Sequence, residues 1–237
     1  MKPDKRFAFA LLMMPLLLAQ ALRVRRVTPK LPEPPGDRAG IFGCGPALRL
    51  LIVGDSAAAG VGAASQAEAF SGRIVARLGR HFKVHWKLEA QSGLAVQDVV
   101  ALLDAASPVK ADVIVVSAGV NDVIRGTTIK QWIARNRQLV AIAAGKCHCR
   151  HVLLSAVPPM HLFPALPQPL RWFLGERAKR LNQALQLHAA ECNRCRVVFP
   201  DFPPDPALMA ADGFHPGPLA YAQWAGHHAA IIKGILG

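Results

Sequence analysis

A serine, a histidine and an aspartate stand in the chain with spacings that would let them act together on a carbonyl carbon. Ser56 follows the apolar run 50–53 through a Gly-Asp dipeptide. A buried strand that stops at a glycine and delivers a serine is one way to present a hydroxyl nucleophile. Far along the chain, Asp212 and His215 form an Asp-x-x-His pair. One turn could hold that carboxylate against one imidazole nitrogen while the other nitrogen faces the serine.

Two further blocks could stabilise the oxyanion that forms when a serine attacks a carbonyl group. Gly93 follows the alternating apolar run 84–88, and a glycine there would let a backbone N–H approach the substrate closely. Asn121 follows the apolar run 113–116, and its side-chain amide is a candidate donor. Structural explanations exist for each block, because serine caps helices, Asp-Gly forms turns and Asn-Asp can end a strand.

The four blocks, in this order, resemble the SGNH hydrolase family, also called GDSL-type esterases and lipases. The resemblance covers roughly residues 48–230. It implies that Ser56 is the nucleophile, His215 the general base and Asp212 its orienting carboxylate. It also implies an oxyanion hole made of the backbone N–H groups of Ser56 and Gly93 and the amide of Asn121. The family's usual Gly-Asp-Ser-Leu is Gly-Asp-Ser-Ala here, a departure outside the reacting groups.

Apolar runs alternate with segments long enough for helices, a pattern that predicts βαβ units and a parallel sheet covered on both faces. The predicted strands lie at 48–53, 84–88, 112–117, 151–156 and 196–199. The family resemblance implies an α/β fold, a flavodoxin-like three-layer α/β/α sandwich with a parallel, five-stranded sheet. Ser56, Gly93 and Asn121 each follow a predicted strand, so periodicity also places them at the carboxyl ends, where such sheets bind ligands.

The fourth predicted strand leads into a proline-stiffened loop, 157–173, that is rich in large apolar side chains. The same topology brings this loop to the catalytic end of the sheet. Two interpretations stay open for its larger side chains. Either they form a substrate-binding wall for an acyl group, or they pack beneath the loop as a satellite core. The side chains concerned are Met160, Phe163, Leu166 and Trp172.

Three segments are predicted along the chain. They are an N-terminal signal peptide or membrane anchor at 1–27, a tether at 28–46 and an SGNH hydrolase domain at 47–237. Basic residues precede an almost uncharged run, 7–22, which is long for a signal-peptide core and short for a membrane span of about 20 residues. Cleavage with export and retention as an anchor both stay open, and either places the protein in the cell envelope. The tether has too many prolines and glycines for a regular element.

The net charge of +13 raises the question of a nucleic-acid partner. The first 30 residues carry seven basic residues and one acidic residue. No zinc-finger spacing, aromatic RNA-binding motif or basic recognition helix accompanies the remaining charge, so we expect no nucleic-acid partner. A solvated basic surface explains the excess, and attraction of the N-terminal segment to anionic membrane lipids is the alternative.

Two tight cysteine pairs precede the last two predicted strands, and a fifth cysteine lies in the tether. The paired residues are Cys147, Cys149, Cys192 and Cys195. Disulfides, free thiols and a zinc site are the three alternatives. None of these three states would take part in the predicted reaction, for which we expect no metal and no other cofactor.

The predicted function is hydrolysis of small-molecule carboxylic esters, of the short-chain acyl, lysophospholipid or thioester class, through an acyl-serine intermediate. Acyl transfer and carbohydrate deacetylation are alternatives with the same triad, because an acyl-serine does not dictate its acceptor. A non-catalytic binding relative is the alternative from a different class. The chain contains no Gly-x-Ser-x-Gly elbow, no His-Glu-x-x-His and no Walker A sequence, which excludes three other enzyme classes.

Overall fold

The fold is an α/β sandwich built on a six-stranded sheet. The computed structural model describes residues 13–106, 109–199 and 205–236. The strands are β1 (Ala39–Phe42), β2 (Ala47–Gly54), β3 (Lys83–Ala90), β4 (Val113–Ser117), β5 (His151–Ser155) and β6 (Cys195–Val198). The α-helices of the described residues are α1 (Met14–Val27), α2 (Ser56–Ala59), α3 (Phe70–Leu78), α4 (Val96–Ala105), α5 (Val120–Arg125), α6 (Ile129–Gly145), α7 (Leu170–Ala190) and α8 (Pro218–Leu236). Short 3₁₀ helices span Met160–Leu162 and Pro206–Leu208.

The sheet has the strand order β1-β3-β2-β4-β5-β6, with β2 near its centre. The strands from β3 to β6 in this order are parallel, and β1 runs antiparallel along β3. Successive side chains of a strand point to opposite faces, so a strand buried on both faces is apolar throughout. Leu51 and Val53 of β2 pack with helices α4, α6 and α7. Leu50 and Ile52 pack on the other face with α3 and α8. The predicted α/β architecture with helices on both faces is therefore confirmed.

The five predicted strands are present and parallel, and the sheet has a sixth strand that was not predicted. The additional strand is β1, and it lies inside the segment 28–46, for which no regular element was expected. All four β1 residues are exposed, so the strand has none of the apolar alternation by which strands are recognised. Its pairing with β3 depends on backbone hydrogen bonds and on the glycines of the following turn, which lead the chain into β2.

The segment before β1 also packs against the domain. The backbone N–H of Gln66 donates to the Pro35 carbonyl over 2.9 Å, and the Gln66 amide donates to the carbonyls of Pro34 and Ala59. Pro34 and Gln66 are both buried. The residues between 33 and 46 are thus in contact with the sheet and helices that follow them, while the predicted domain boundary at 46 stays a prediction.

Helix α1 lies against the loop that follows β5. Leu17 of this helix is buried, and Gln20 both donates to the Gln168 carbonyl and accepts from the Leu170 N–H. A helix with the length and hydropathy needed to span a bilayer is not found among the residues that the structure describes. The predicted leader or anchor at 1–27 lies partly outside the described residues, since these begin at residue 13. Cleavage and anchoring therefore both stay predictions.

Candidate active site

The predicted reacting groups lie at the carboxyl ends of neighbouring strands. Ser56 is the first residue of α2, directly after β2, and Gly93 follows β3. Asn121 lies in the first turn of α5, after β4. The loop before α8 carries Asp212 and His215. Because β3, β2 and β4 are adjacent and parallel, their ends meet at one edge of the sheet, where α/β folds bind ligands.

A continuous chain of hydrogen bonds joins Asp212, His215 and Ser56. The Nδ1 atom of His215 lies 2.5 Å from Oδ2 of Asp212, and its Nε2 atom lies 2.9 Å from Oγ of Ser56. An ionised carboxylate can only accept, so Nδ1 carries the proton and Nε2 is left to accept from the serine hydroxyl. This arrangement of nucleophile, base and orienting carboxylate is the one that nucleophilic acyl transfer requires.

The surroundings of Asp212 keep its carboxyl group ionised. Its Oδ1 atom accepts from the backbone N–H groups of Phe214 and His215, each over 2.9 Å. Burial acts to raise the pKa of Asp212, but the hydrogen bonds from the His215 ring and from these two N–H groups lower the pKa below its ordinary value. The same two bonds fix the turn, so the carboxylate orients the imidazole through both the side chain and the backbone.

Asp55 is a second buried carboxyl group, directly before the serine. Its Oδ1 atom accepts from the Ala57 N–H over 3.1 Å and so caps the short helix α2. Complete burial raises the pKa of Asp55 to about 7, against the opposing effect of that hydrogen bond. The His215 ring is hydrogen-bonded to Asp212 and not to Asp55, so the role of Asp55 lies in placing the serine at the helix start.

The loop between β3 and α4 has a conformation that requires glycine. Gly93 has φ +86°, in the left-handed region that other residues rarely adopt, and open space surrounds the position of a Cβ atom. The Gly93 carbonyl accepts from Nη2 of Arg125 over 2.7 Å. The Asn121 amide donates one hydrogen to the Leu94 carbonyl over 2.9 Å, which leaves its second hydrogen for another acceptor. The loop and the amide are therefore tied to each other.

Two residues of the segment before β1 hold the same loop, and the sequence analysis missed both. The Glu33 carboxylate accepts from the backbone N–H and the hydroxyl of Ser92, over 2.7 and 2.8 Å. Arg38 donates to Glu33 over 2.9 Å and to the Ala90 carbonyl. No local pattern could have indicated these contacts, because 59 residues separate Glu33 from Ser92.

Asp122, next to Asn121, is fully buried and serves as a structural anchor. Its two oxygens accept from the Val96 N–H and the Thr127 hydroxyl, over 2.8 and 3.1 Å. Burial raises the pKa of Asp122 above its ordinary value, against these hydrogen bonds. The carboxyl group therefore joins the start of α4 to α5, and it fixes the turn from which Asn121 projects.

A cavity of about 200 Å³ opens beside the serine and the histidine. Of the four predicted wall residues, Phe163 lines the cavity. Met160 and Leu166 instead pack in the core cluster beneath the loop, and Trp172 is not among the lining residues. Most of the proposed wall is therefore absent, because the 3₁₀ helix turns Met160 inward while its neighbours Leu162 and Phe163 face the cavity.

The four paired cysteines lie near the opposite end of the sheet, where β5 and β6 begin. All five cysteines of the chain are free thiols in the structure, and the Sγ atoms of Cys192 and Cys195 lie 2.6 Å apart. Burial raises the pKa of the Cys149 thiol to about 11. Among the described residues, no group of three or more His, Cys, Asp or Glu side chains is placed to hold a metal ion. The zinc alternative therefore has no support there, and the disulfide alternative stays a prediction.

The chain shows clear similarity to known proteins in sequence. The sequence model of the GDSL-like Lipase/Acylhydrolase family matches residues 52–223. The chain is also 31% identical over 234 residues to GDSL-like esterase Rv1075c of Mycobacterium tuberculosis, a match that covers 87% of this chain and 72% of that protein.

Solved structures of low sequence identity share the fold. LAE5, an alpha/beta hydrolase from the metagenome of Lake Arreo, has a TM-score of 0.61 at 19% identity, over 80% of this chain and 96% of its own. Est24, a carbohydrate acetylesterase from Sinorhizobium meliloti, has a TM-score of 0.61 at 19% identity, over 79% and 99%. Axe2, an acetylxylan esterase from Geobacillus stearothermophilus, has a TM-score of 0.57 at 18% identity, over 79% and 95%.

The family match and the curated relative confirm the resemblance that the four sequence blocks indicated, and the structural neighbours agree in fold. The chain belongs to the GDSL-like lipase/acylhydrolase family and is a carboxylic ester hydrolase.

Proposed function

We propose that the protein hydrolyses esters of small carboxylic acids in two steps, with Ser56 as nucleophile, His215 as general base and Asp212 as its orienting carboxylate. The observation that carries this proposal is the unbroken chain of hydrogen bonds from Asp212 through both ring nitrogens of His215 to the Ser56 hydroxyl. Its geometry puts the serine proton within direct reach of a nitrogen that can accept it.

In the first step the Ser56 oxygen attacks the ester carbonyl carbon while His215 takes the serine proton. The carbonyl oxygen becomes an oxyanion, which the N–H groups of Ser56 and Gly93 and the free hydrogen of the Asn121 amide would stabilise. The ester C–O bond then breaks, and His215 returns the proton to the departing alcohol. The product of this step is an acyl-serine.

In the second step a water molecule takes the place of the alcohol. His215 accepts a proton from the water as its oxygen attacks the acyl carbonyl, and the same donors hold the second oxyanion. The bond between the acyl group and Ser56 breaks, the serine oxygen recovers the proton from His215, and the carboxylic acid leaves. The negative charge of Asp212 stabilises the imidazolium that exists during both steps.

Substitution of the serine tests the proposal. Ser56→Ala should reduce ester hydrolysis to background, because no other described hydroxyl lies within hydrogen-bond distance of His215. Ser65→Ala, at a half-buried position outside the cavity, is the matched control and should keep the rate of the native protein. Turnover by folded Ser56→Ala at the native rate would contradict the proposal.

Deacetylation of carbohydrates is a second candidate, since two structural neighbours are carbohydrate acetylesterases. Comparison of acetylated xylo-oligosaccharides with simple alkyl esters separates the two. We expect kcat/KM to be higher for the alkyl esters, because the cavity beside Ser56 is lined mainly by apolar side chains. A higher kcat/KM for the acetylated sugars would make the second candidate the correct one.

We also propose that α1 attaches the protein to an anionic membrane surface in the cell envelope. Leu18 and Leu22 are 60% and 49% exposed, and the helix ends with the basic residues Arg25 and Arg26. Apolar residues can enter the acyl boundary while arginines bind headgroups, and each arginine contributes about 1 kcal/mol.

Vesicle binding tests this attachment. The protein should sediment with phosphatidylglycerol vesicles and much less with phosphatidylcholine vesicles. The double variant Arg25→Gln/Arg26→Gln should lose most of the difference, whereas Arg80→Gln/Arg196→Gln, at exposed positions elsewhere, should keep it. Equal sedimentation with both vesicle types would contradict the proposal.

A further inference from the structure

The cavity beside the triad lies on the side of Ser56 that faces β4 and β5. It touches the carboxyl ends of β2, β4 and β5 through Ser56, Ser117 and Ser155, and it reaches α8 at Ala220 and Trp224. Gly93, the candidate oxyanion donor after β3, is not among the lining residues. The strand order puts β3 on the opposite side of β2 from β4 and β5. An ester bound with its carbonyl oxygen toward Gly93 would therefore have the cavity available for one of its two substituents.

The walls of the cavity are apolar and firmly packed. Phe163, from the loop after β5, and Phe214, from the loop before α8, meet edge to face with ring centroids 5.2 Å apart. Trp224 lines the cavity from α8, and its ring is packed on Phe70 with centroids 4.0 Å apart. Such a surface favours a hydrocarbon chain, since burial of each methylene group is favourable by a nearly constant amount.

Three polar side chains that line the cavity outside the triad, those of Ser155, Asp55 and Asp205, have partners within the protein. The Ser155 hydroxyl lies 3.2 Å from Nε2 of the buried His228. Asp55 accepts from the Ala57 N–H, and Asp205 accepts from the Ala207 N–H over 2.9 Å. A sugar in this space would bury several hydroxyl groups, and each buried hydroxyl without a partner is costly. These satisfied groups therefore favour an apolar substituent over a carbohydrate.

The two-step reaction indicates which substituent occupies the cavity. The alcohol must leave after the first step and water must enter for the second, so the alcohol needs an open route past His215. The acyl group is bound to Ser56 from the first step to the second and can stay in the cavity while the alcohol leaves and water enters. The acyl chain, and not the alcohol, is the part of the ester that such a cavity suits.

The volume of the cavity limits the length of the acyl chain that it can hold. An apolar cavity of about 150 Å³ in another protein accepts a benzene ring, which has six carbons. The cavity here has about 200 Å³. An acyl chain of about six to eight carbons should fill it, and the side chain of Ala220, which is small and buried, leaves part of this space open.

We infer that the protein is specific for esters of straight-chain fatty acids of about six to eight carbons, whose acyl chain lies in this cavity, and that Ala220 is a residue that determines this length. The inference rests on the proposed function, since it assumes an acyl-serine at Ser56. It replaces the wall predicted from the loop 157–173 by a cavity to which three separate segments of the chain contribute.

Two series of esters test the inference. In the first, nitrophenyl esters of acids with two to twelve carbons should show kcat/KM rising about fourfold for each added methylene, up to six to eight carbons, and falling beyond that. In the second, acetate esters of alcohols with one to eight carbons should show a much weaker dependence. An equal or steeper rise in the second series, or a flat first series, would overturn the inference.

Two pairs of variants test whether the acyl chain of the substrate lies in this cavity. Ala220→Leu fills the cavity and should lower the ratio of hexanoyl to acetyl kcat/KM at least tenfold. Ala230→Leu, at an exposed position of the same helix, should leave the ratio unchanged. Leu162→Ala removes part of a wall at a residue that is 41% exposed and should lower the ratio several-fold, whereas Leu187→Ala, 71% exposed and outside the cavity, should not.

Thermal unfolding verifies that each variant is folded. If Ala220→Leu does not fold, the comparison of Leu162→Ala with Leu187→Ala tests the inference, because truncation of an exposed leucine leaves the core intact. A native ratio in folded Leu162→Ala and folded Ala220→Leu would overturn the inference. Failure of the proposed function has a different signature, namely a native protein that hydrolyses no ester or a Ser56→Ala variant that hydrolyses every ester at the native rate.

Discussion

Asp55 and Asp212 are both buried close to the serine, and their surroundings give them opposite properties. Asp212 accepts hydrogen bonds from the imidazole and from two backbone N–H groups, and its pKa lies below the ordinary value in spite of burial. Asp55 accepts from the Ala57 N–H over 3.1 Å and from no imidazole, and burial raises its pKa to about 7. Two carboxyl groups with separated pKa values take different roles, so the ionised one orients the base.

The raised pKa of Asp55 predicts a dependence of stability on pH. Between about pH 4 and 7 the folded protein binds a proton that the unfolded chain has lost, so the free energy of unfolding falls as the pH rises. Asp55→Asn removes this titration and keeps an oxygen for the Ala57 N–H. The free energy of unfolding of Asp55→Asn, relative to the native protein, should increase by up to about 3 kcal/mol between pH 5 and 8.

Urea unfolding at several pH values measures this difference. Asp37→Asn, at an exposed carboxyl group, is the matched control and should differ from the native protein by a constant amount. A constant difference for Asp55→Asn as well would contradict the assignment of a raised pKa.

Asn121 should contribute to the rate and little to binding. An oxyanion donor acts on charge that develops in the transition state, and its loss typically lowers kcat about 10²–10³-fold. We expect Asn121→Ala to show this loss with a KM close to native, in steady-state kinetics with a nitrophenyl ester. Asn193→Ala, in an exposed turn, should be unaffected. An increase in KM with native kcat would show that Asn121 binds the substrate and does not stabilise the oxyanion.

At the scale of elements, the loop between β3 and α4 is held from two sides. Glu33, which precedes β1, holds Ser92 on one side of Gly93, and Arg125 of α5 holds the Gly93 carbonyl. Each of these contacts spans a long distance in sequence. The orientation of the Gly93 N–H therefore depends on elements outside the strand from which the loop emerges.

Removal of the Glu33 carboxylate should loosen this loop. Glu33→Ala should lower kcat about tenfold with little change in KM, because a displaced N–H stabilises the oxyanion less well. Glu33→Gln should recover most of the rate, since its Oε1 atom can still accept from Ser92. Steady-state kinetics measure the split, with Glu191→Ala, at an exposed side chain, as control. Equal loss in Glu33→Gln and Glu33→Ala, or a change in KM alone, would contradict a positioning role.

The elements that the sequence predicted well are those with continuous apolar runs. The strands β2 and β4 are buried on both faces, so their composition alone identifies them. The strand β1 was missed because all its residues are exposed. For Met160 and Leu166 the sequence left a substrate wall and a packed core both open, because composition cannot tell which side of a loop faces inward. The contact between Glu33 and Ser92 has no local pattern at all, since tertiary packing creates it.

At the scale of the whole molecule, the described residues 33–46 pack against the rest of the fold. They supply an edge strand of the sheet, the contacts of Pro34 and Pro35 with Gln66, and the carboxylate that holds the loop of the candidate oxyanion hole. The prolines and glycines that predicted an extended tether permit an extended path along the domain surface. An extended segment can still be bound to the domain, because its backbone N–H and C=O groups can form hydrogen bonds with the domain surface.

Shortening the chain should therefore affect both stability and rate. A protein that begins at residue 47 should unfold several degrees lower than one that begins at residue 28, because it exposes the edge of β3 and loses the contacts with Gln66. Its kcat should also fall, as for Glu33→Ala. Thermal unfolding and ester hydrolysis measure the two effects. Identical midpoints and rates for the two proteins would show that residues 28–46 are a free tether after all.

The central claim is that the reaction passes through an acyl group on Ser56. Rapid acid quench of the protein with a nitrophenyl ester, followed by peptide mass spectrometry, tests it most directly. We predict the acyl mass on the peptide that contains Ser56, with the modification at that residue, and no modified peptide from Ser56→Ala treated in the same way. An acyl group on a different residue, or hydrolysis by Ser56→Ala at the native rate, would contradict the claim.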